Sequence, residues 1–315
     1  MSDTLPAHDP EPGDDGAAAG APARRPEPGL YLVATPIGAA RDITLRALDL
    51  LAAGDVLAAE DTRTLRHLMA IHGVPLRGRR IVAYHEHNEA EAGAALLEAL
   101  RQGRVVVYAS EAGTPLVSDP GFRLVRDAAA AGIAVRAAPG PSAVLAALTV
   151  SGLPSDRFLF AGFAPAAAAA RRRWLAEVMA VDATAILFES PRRVRQLFND
   201  LCEIDEGRNT VICRELTKRF EEVRRGRAAE LRDSGLEGLK GELVVLIDRA
   251  PPHATAIDAV AAIDAALAAG LSVRDAAAQV AAAGGGPRRE VYRLALERAR
   301  RKGDEDAKDG AEGDG

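Results

Sequence analysis

Apolar and polar positions fall into two alternating kinds of block from residue 29 to about residue 250. Short unbroken apolar runs read as buried strands, and stretches with apolar residues every third or fourth position read as helices. GLYLVATPIG (29–38) is an apolar strand ending in a Pro/Gly loop. In ITLRALDLLAAG, residues Ile43, Leu45, Leu48 and Leu51 have helical spacing and Gly54 is the stop. DVLAAE (55–60) is a second apolar run, after which Asp61 or Thr62 caps TRTLRHLMAIHG, with Gly73 placed as a C′ glycine. RIVAY (80–84), RVVVYAS (104–110) and IAVRAA predict further strands, separated by the helical segments EAEAGAALLEALRQG and GFRLVRDAAAAG. Such alternation implies parallel pairing through right-handed crossovers.

A second series follows. GPSAVLAALTVSG, AAAAARRRWLAEVMA and PRRVRQLFNDLCEI predict helices, and RFLFAGF, TAILFES, TVICREL and GELVVLID predict strands, with an arginine-rich segment before the last. The pattern therefore predicts two α/β domains, 29–143 and 144–250, with the boundary near residues 141–155. Residues 251–302 form an alanine-rich helical extension, in which two helices broken at GGGP resemble a helix-turn-helix.

Composition adds limits. A chain of 315 residues can bury a sizeable core. No run of about 18 apolar residues predicts a membrane span, and the N-terminus lacks the order of a secretory signal. Cys202 and Cys213 are too few for a disulfide framework. A cytoplasmic protein is expected. Residues 1–28 hold six acids against two arginines, and residues 303–315 hold six against Lys308. These ends, read as disordered acidic tails, together carry −9 of a net −5, which leaves about +4 between them. A mildly basic body permits a nucleic-acid partner, although a coding bias toward arginine accounts for the excess equally well.

In open α/β sheets, ligands bind beyond the carboxyl ends of the strands. Here those ends carry TPIG (35–38), EDTR (60–63), HEHNE (85–89), SEAGTPLVSDPG (110–121), APGPSA (138–143), FESPRR (188–193) and RELTKRFEEV (214–223). The two histidines and two glutamates of HEHNE invite a zinc reading. However, Asn88 with Glu91 has the spacing of a capping box, which puts His85 and His87 ahead of the helix and not on one face of it. A substrate-contacting loop and a solvated turn remain as the other readings. EAGTP and APGPSA suit close backbone approach to a ligand, while the absence of a Walker A or GxGxxG pattern disfavours a nucleoside triphosphate or dinucleotide. Glu60, Asp61, Glu189 and Glu215 are carboxylates at strand ends, and Lys218 lies three residues beyond Glu215. Such groups could assist a weakly acidic hydroxyl or form ion pairs. Arg171–Arg173, Arg192, Arg193, Arg195, Arg224, Arg225 and Arg227 form basic patches that suit a phosphate-rich partner or a solvated surface.

As an ordered set, VATPIG, DITLRAL, AEDTR, YHEHNE, AGTPLVSDPG, PGPSA, SGLPSDRFLFAGF, FESP, RELTK and GELV resemble the tetrapyrrole-methylase superfamily, specifically its ribosomal branch. The resemblance covers residues 29–250, with the terminal helices similar to that branch's extension. It implies two α/β domains with S-adenosylmethionine bound between them. It further implies 2′-O-methylation of a cytidine in the decoding region of 16S rRNA, on the small ribosomal subunit, by a homodimer. Cofactor contacts carried over are Pro36, Gly38, Gly113, Thr114, Val117, Ser142 and Ala143 from the first domain, and Phe188, Leu216 and Glu242 from the second. Candidates for substrate contact or proton transfer are Glu60, Asp61, His85, His87, Glu189, Glu215 and Lys218, with no single base assigned. The chain departs from the branch's pattern at Ala39, Glu111, the PAAAAA stretch (165–170) and Arg193. A corrinoid or precorrin C-methyltransferase and a non-catalytic rRNA-binding assembly factor are the competing readings, with a metallohydrolase built on HEHNE a distant third.

Overall fold

The computed structural model describes residues 25–250, 259–282 and 288–309. The first unit runs β1 (Gly29–Val33), α1 (Leu45–Ala53), β2 (Val56–Ala59), α2 (Thr62–Ile71), β3 (Ile81–Ala83), α3 (Glu89–Arg101), β4 (Val105–Ala109), α4 (Phe122–Ala130) and β5 (Val135–Ala138). Its sheet is wholly parallel, in the order β3-β2-β4-β1-β5, as the alternation predicts. Alternate residues serve opposite faces. Tyr31, Val33, Leu57 and Val107 pack on one side with Leu50, Leu51, Leu65 and Met69. Leu30, Ala58, Val106 and Tyr108 pack on the other with Tyr84 and Leu96. Helices on both faces are why β4 is buried at every position.

The second unit runs α5 (Ala143–Ser151), β6 (Phe158–Phe163), α6 (Ala168–Met179), β7 (Thr184–Glu189), α7 (Val194–Asp205), β8 (Asn209–Arg214), β9 (Glu222–Arg227), α8 (Ala228–Asp233) and β10 (Leu243–Ile247). Its sheet order is β6-β7-β10-β8-β9, and only β6 and β7 pair in parallel. Strand β9 is the departure from the sequence pattern: the arginine-rich segment pairs with β8 along the sheet edge. Its charged side chains hide the apolar signal, yet they suit an edge open to water.

Several arginines grouped above as basic patches have structural partners. Arg171 is buried, and its Nε donates to Asp200 Oδ2 at 2.6 Å, joining α6 to α7. Arg225 donates from Nε to the Ser151 carbonyl at the end of α5. One face of the sheet carries Leu175, Leu197, Phe198 and Val245. The other packs α5 residues Val144, Ala147 and Leu148 on Ile186, Val211 and Val244, and Ile37 of the first unit joins this cluster.

The helical extension comprises α9 (Ala259–Ala268), α10 (Val273–Ala282) and α11 (Arg288–Asp309), packed around Ile263, Ala277, Val280, Val291 and Ala295. The GGGP break lies outside the described residues. Two tail boundaries differ from expectation. Residues 25–28 are tied down, with Arg25 bridging Asp55 and Arg136 bridging Glu27. Residues 303–309 continue α11, because extending an existing helix avoids the cost of nucleation. Residues 1–24 and 310–315 lie outside the described residues. Among the described residues, no helix is long and apolar enough to cross a membrane.

Candidate active site

In the first sheet, β1 separates β4 from β5 while the chain from β1 leads to β2 beyond β4. The loops after β1 and β4 therefore diverge and open a crevice at the carboxyl edge. Hydrogen bonds lace these loops together. Thr35 N donates to the Gly113 carbonyl at 3.0 Å, and Gly113 N donates to that of Thr35 at 2.9 Å. Ser110 Oγ donates to the Gly113 carbonyl at 2.5 Å, and Thr114 Oγ1 donates to that of Pro141 at 3.1 Å. Ser142 caps α5. Gly113 takes φ +80° here, a conformation that favours glycine.

The first unit meets the second through its TPIG loop. A Cβ on Gly38 would lie 2.5 Å from Lys218 Cγ and 2.6 Å from Thr217 Oγ1. Ala39 N donates to Thr217 Oγ1 at 3.1 Å, so the departure at position 39 leaves this loop bond in place. The non-glycine residues with left-handed backbone are Leu116, Ser118, Glu215 and Thr217, besides Arg77. Among the described residues, four of these five thus sit in two loops, one from each unit. Strain of this kind persists only where the surroundings over-determine it.

Between the units lies a cavity of about 380 Å³. Ile37, Val117 and Asp119 face it from the first unit, and Phe163, Phe188, Glu189, Leu216 and Glu242 from the second. Phe188 meets Phe160 and Phe163 edge-on at 4.8 and 5.7 Å, which makes an aromatic wall. The lining contains three carboxylates and no lysine or arginine. Glu189 Oε1 accepts from Ser190 N at 2.8 Å and lies 3.5 Å from Arg193 Nε, while the buried Oε2 has no partner. Asp119 Oδ2 is likewise buried without a partner. Burial, followed by the charges of Glu60 and Glu111, pushes the Asp119 carboxyl up to about 6. Burial raises the Cys213 thiol to about 11, so it is neutral near pH 7.

Lys218 sits behind the cavity wall and donates to Glu215 Oε1 at 3.2 Å and Glu242 Oε2 at 3.0 Å. Burial pulls its pKa down, but these two carboxylates outweigh that and hold it above the ordinary lysine value. Glu215 Oε1 also accepts from Glu242 N at 3.0 Å, and this bond, ahead of Lys218, holds its carboxyl low. The trio is thus a clamp on the Glu242 side of the cavity, with its lysine charged.

Of the residues carried over for the cofactor, Val117, Ala143, Phe188, Leu216 and Glu242 line the cavity. Pro36, Gly38, Gly113, Thr114 and Ser142 lie in the laced loops that shape it. Of the chemical candidates, Glu189 alone is in the lining. Glu60 stands near Glu111 and Glu86 and is raised first by burial and then by their charges. Asp61 caps α2 and bonds the Arg63 side chain, which holds it at about 2, too low for a base near neutrality. In YHEHNE, Asn88 occupies the N-cap of α3, but the capping box does not form. Its Oδ1 accepts from His85 N and its Nδ2 donates to the Ala83 carbonyl, which pins the loop instead. The His85 and His87 rings meet edge-on at 6.0 Å. Among the described residues, no three metal-donor side chains cluster. Sequence reasoning missed Asp119, Phe163, Ile37 and Cys213. Asp119 stood within a quoted loop, but only its burial distinguishes it from the neighbouring acids.

Residues 29–232 match the Tetrapyrrole (Corrin/Porphyrin) Methylases, and residues 254–299 match the RsmI C-terminal HTH domain. A Mesorhizobium japonicum protein named ribosomal RNA small subunit methyltransferase I is 50% identical over 279 residues, covering 88% of this chain and 94% of that protein. One of the same name from Mycobacterium tuberculosis is 45% identical over 276 residues, covering 87% and 96%. The solved structure of uroporphyrin-III-C-methyltransferase from Thermus thermophilus superposes with a TM-score of 0.51 at 23% identity, covering 70% of this chain and 94% of that one.

Proposed function

The chain belongs to the tetrapyrrole (corrin/porphyrin) methylases, and from that premise we propose that it moves the methyl group of S-adenosylmethionine onto 16S rRNA in the small ribosomal subunit, at the ribose 2′-oxygen of a decoding-region cytidine. Methyltransferases of this family use S-adenosylmethionine. The observation that carries the reading here is the charge of the cavity. Asp119, Glu189 and Glu242 line it with no lysine or arginine among them, so it attracts a cationic cofactor and repels a polyphosphate. Bound there, S-adenosylmethionine would supply a methyl group already activated by its sulfonium.

The chain's own work is placement. Phe163 and Phe188 offer an aromatic surface against which a purine can pack. The Lys218 clamp fixes Glu242. The laced loops give the cavity a fixed wall against which an acceptor hydroxyl can be aligned. A groove lined by Arg192, Arg193 and Lys240 shares Ser190, Pro191 and Gly241 with the cavity and supports an approach path for the RNA backbone. Arg274, Arg288, Arg289 and Tyr292 line a second concave site on the helical domain, with the composition of a nucleic-acid contact. Exposed Leu45, Phe122 and Leu145 support a homodimer, and the substrate places the reaction in the cytoplasm. The corrinoid enzymes share the fold at under 25% identity, and a non-catalytic assembly factor would need no such cavity.

The test is transfer of labelled methyl to 30S subunits lacking the modification, with the labelled nucleotide mapped. Label on the 2′-oxygen of a decoding-region cytidine is the expected result. Cofactor binding without label in rRNA would sink the substrate assignment.

A further inference from the structure

We propose that Asp119 is the catalytic base that takes the proton from the acceptor hydroxyl; this rests on the methyltransferase reading above. The argument begins with elimination by geometry. Asp61 caps α2 and Lys218 is bound between two carboxylates. Glu215 accepts from both Lys218 and the Glu242 backbone. Glu189 reaches the cavity, but its Oε1 accepts from Ser190 N at 2.8 Å and lies 3.5 Å from Arg193 Nε, so its carboxylate is tied to its own loop. Glu60, His85 and His87 are not in the cavity lining.

Asp119 is free of these ties. It lines the cavity, and among the described residues no group donates to its buried Oδ2 and no cation pairs with its carboxylate, so the carboxylate is not committed to a neighbour. Its backbone is fixed on both sides. Ser118 takes φ +64°, and on the far side Tyr108 Oη donates to the Pro120 carbonyl at 2.8 Å. Gly121 N donates to Glu89 Oε1 at 3.4 Å. The charged groups around it are Glu60 at the end of β2 and Glu111 after β4, with Glu89 at the start of α3. From the second unit Glu189 and Glu242 share its cavity, each backed by its own cation, Arg193 or Lys218. No cation contacts Asp119 among the described residues. A half-buried carboxylate with other acids around it is a better proton acceptor than an exposed one. With a value of about 6 it is ionised near neutrality and still basic enough to help.

In the step, the hydroxyl oxygen bonds to the methyl carbon as the carbon–sulfur bond breaks, with that electron pair passing to sulfur. The hydroxyl proton moves to the Asp119 carboxylate. The products are the methyl ether, S-adenosylhomocysteine and a protonated Asp119, which returns its proton to water.

The test compares wild type, Asp119→Asn and Asp119→Glu in single-turnover transfer to unmodified 30S subunits between pH 5 and 9. Cofactor and subunit affinities are measured separately. Asp119→Asn is expected to slow transfer by roughly 10²–10⁴-fold, far more than it weakens cofactor binding through the loss of one cavity charge, with subunit affinity unchanged. Wild type should show an acid limb centred near pH 6, absent from the residual activity of Asp119→Asn, and Asp119→Glu should restore part of the rate and the limb. Asp119→Asn transfer close to the wild-type rate would overturn the assignment. So would an unchanged acid limb in that variant, or a loss of cofactor affinity matching the loss of rate. If wild type labels no subunit at all, the methyltransferase reading falls with it, which separates the two failures.

Discussion

A base held at a raised pKa destabilises the fold that holds it, and Asp119 makes this measurable without any substrate. Its folded value is about 6 against an ordinary 3.8, a difference equivalent to about 3 kcal/mol at about 1.36 kcal/mol per unit. The sign follows from proton counting. Between these two values the folded protein keeps a proton that the unfolded chain has lost, so the stability contributed by protonated Asp119 disappears as pH rises through this window. Asp119→Asn has no such group in either state. Linkage gives a variant-minus-wild-type gain of about 0.6 kcal/mol at pH 4, about 1.6 at pH 5 and about 3 at pH 8. Relief of Glu60, which Asp119's charge also opposes, adds in the same direction. At a lower bound of about 2 °C per kcal/mol, the variant should melt roughly 6 °C higher at pH 8 and about 1 °C higher at pH 4. Differential scanning fluorimetry of both proteins across pH 4–8 reads this directly. A pH-independent gap, or a variant that melts lower at pH 8, would refute the argument that Asp119 is an unfavourably ionised group in the folded protein. A stabilised but slow variant is the signature of a site that trades stability for chemistry.

Other consequences are local. Gly38→Ala places a Cβ 2.5 Å from Lys218 Cγ and 2.6 Å from Thr217 Oγ1; a loss of roughly 1–3 kcal/mol and weaker S-adenosylmethionine binding by calorimetry are expected, and wild-type values for both would show that the two loops are not packed this way. Arg171→Met leaves the buried Asp200 with only the longer contact to Arg172 at 3.7 Å, at a cost of up to about 3–5 kcal/mol in urea unfolding, while the Arg171→Met/Asp200→Leu double variant should recover most of it. Arg192→Glu, in the groove beside the cavity, should weaken 30S binding and flatten its salt dependence without changing cofactor affinity; an unaltered salt slope would remove this groove from the RNA path.

Much of the architecture was legible because it depends on patterns a few residues long. The unbroken apolar runs of β1 and β4 announced a sheet covered on both faces, and their alternation with helices announced its parallel pairing. Asp61 and Gly73 marked the ends of α2 by local hydrogen bonding and backbone freedom alone. The ordered loop motifs indicated the family and, with it, Val117, Ala143, Phe188, Leu216 and Glu242 of the cavity lining. Long-range placement was not legible. Strand β9 escaped notice because an edge strand needs no apolar face, and β10 sits between β7 and β8 for reasons of packing between distant segments. Arg171 and Arg192 look alike as letters in basic runs, yet one is buried against Asp200 and the other lines an open groove. Glu60, Glu111 and Asp119 are likewise equivalent carboxylates on paper. Sequence determined that acids would gather at the carboxyl edge of the first sheet. Only the tertiary structure decided which oxygen is withdrawn from water without a donor, because desolvation depends on every segment that closes over the atom, including loops from the other half of the chain.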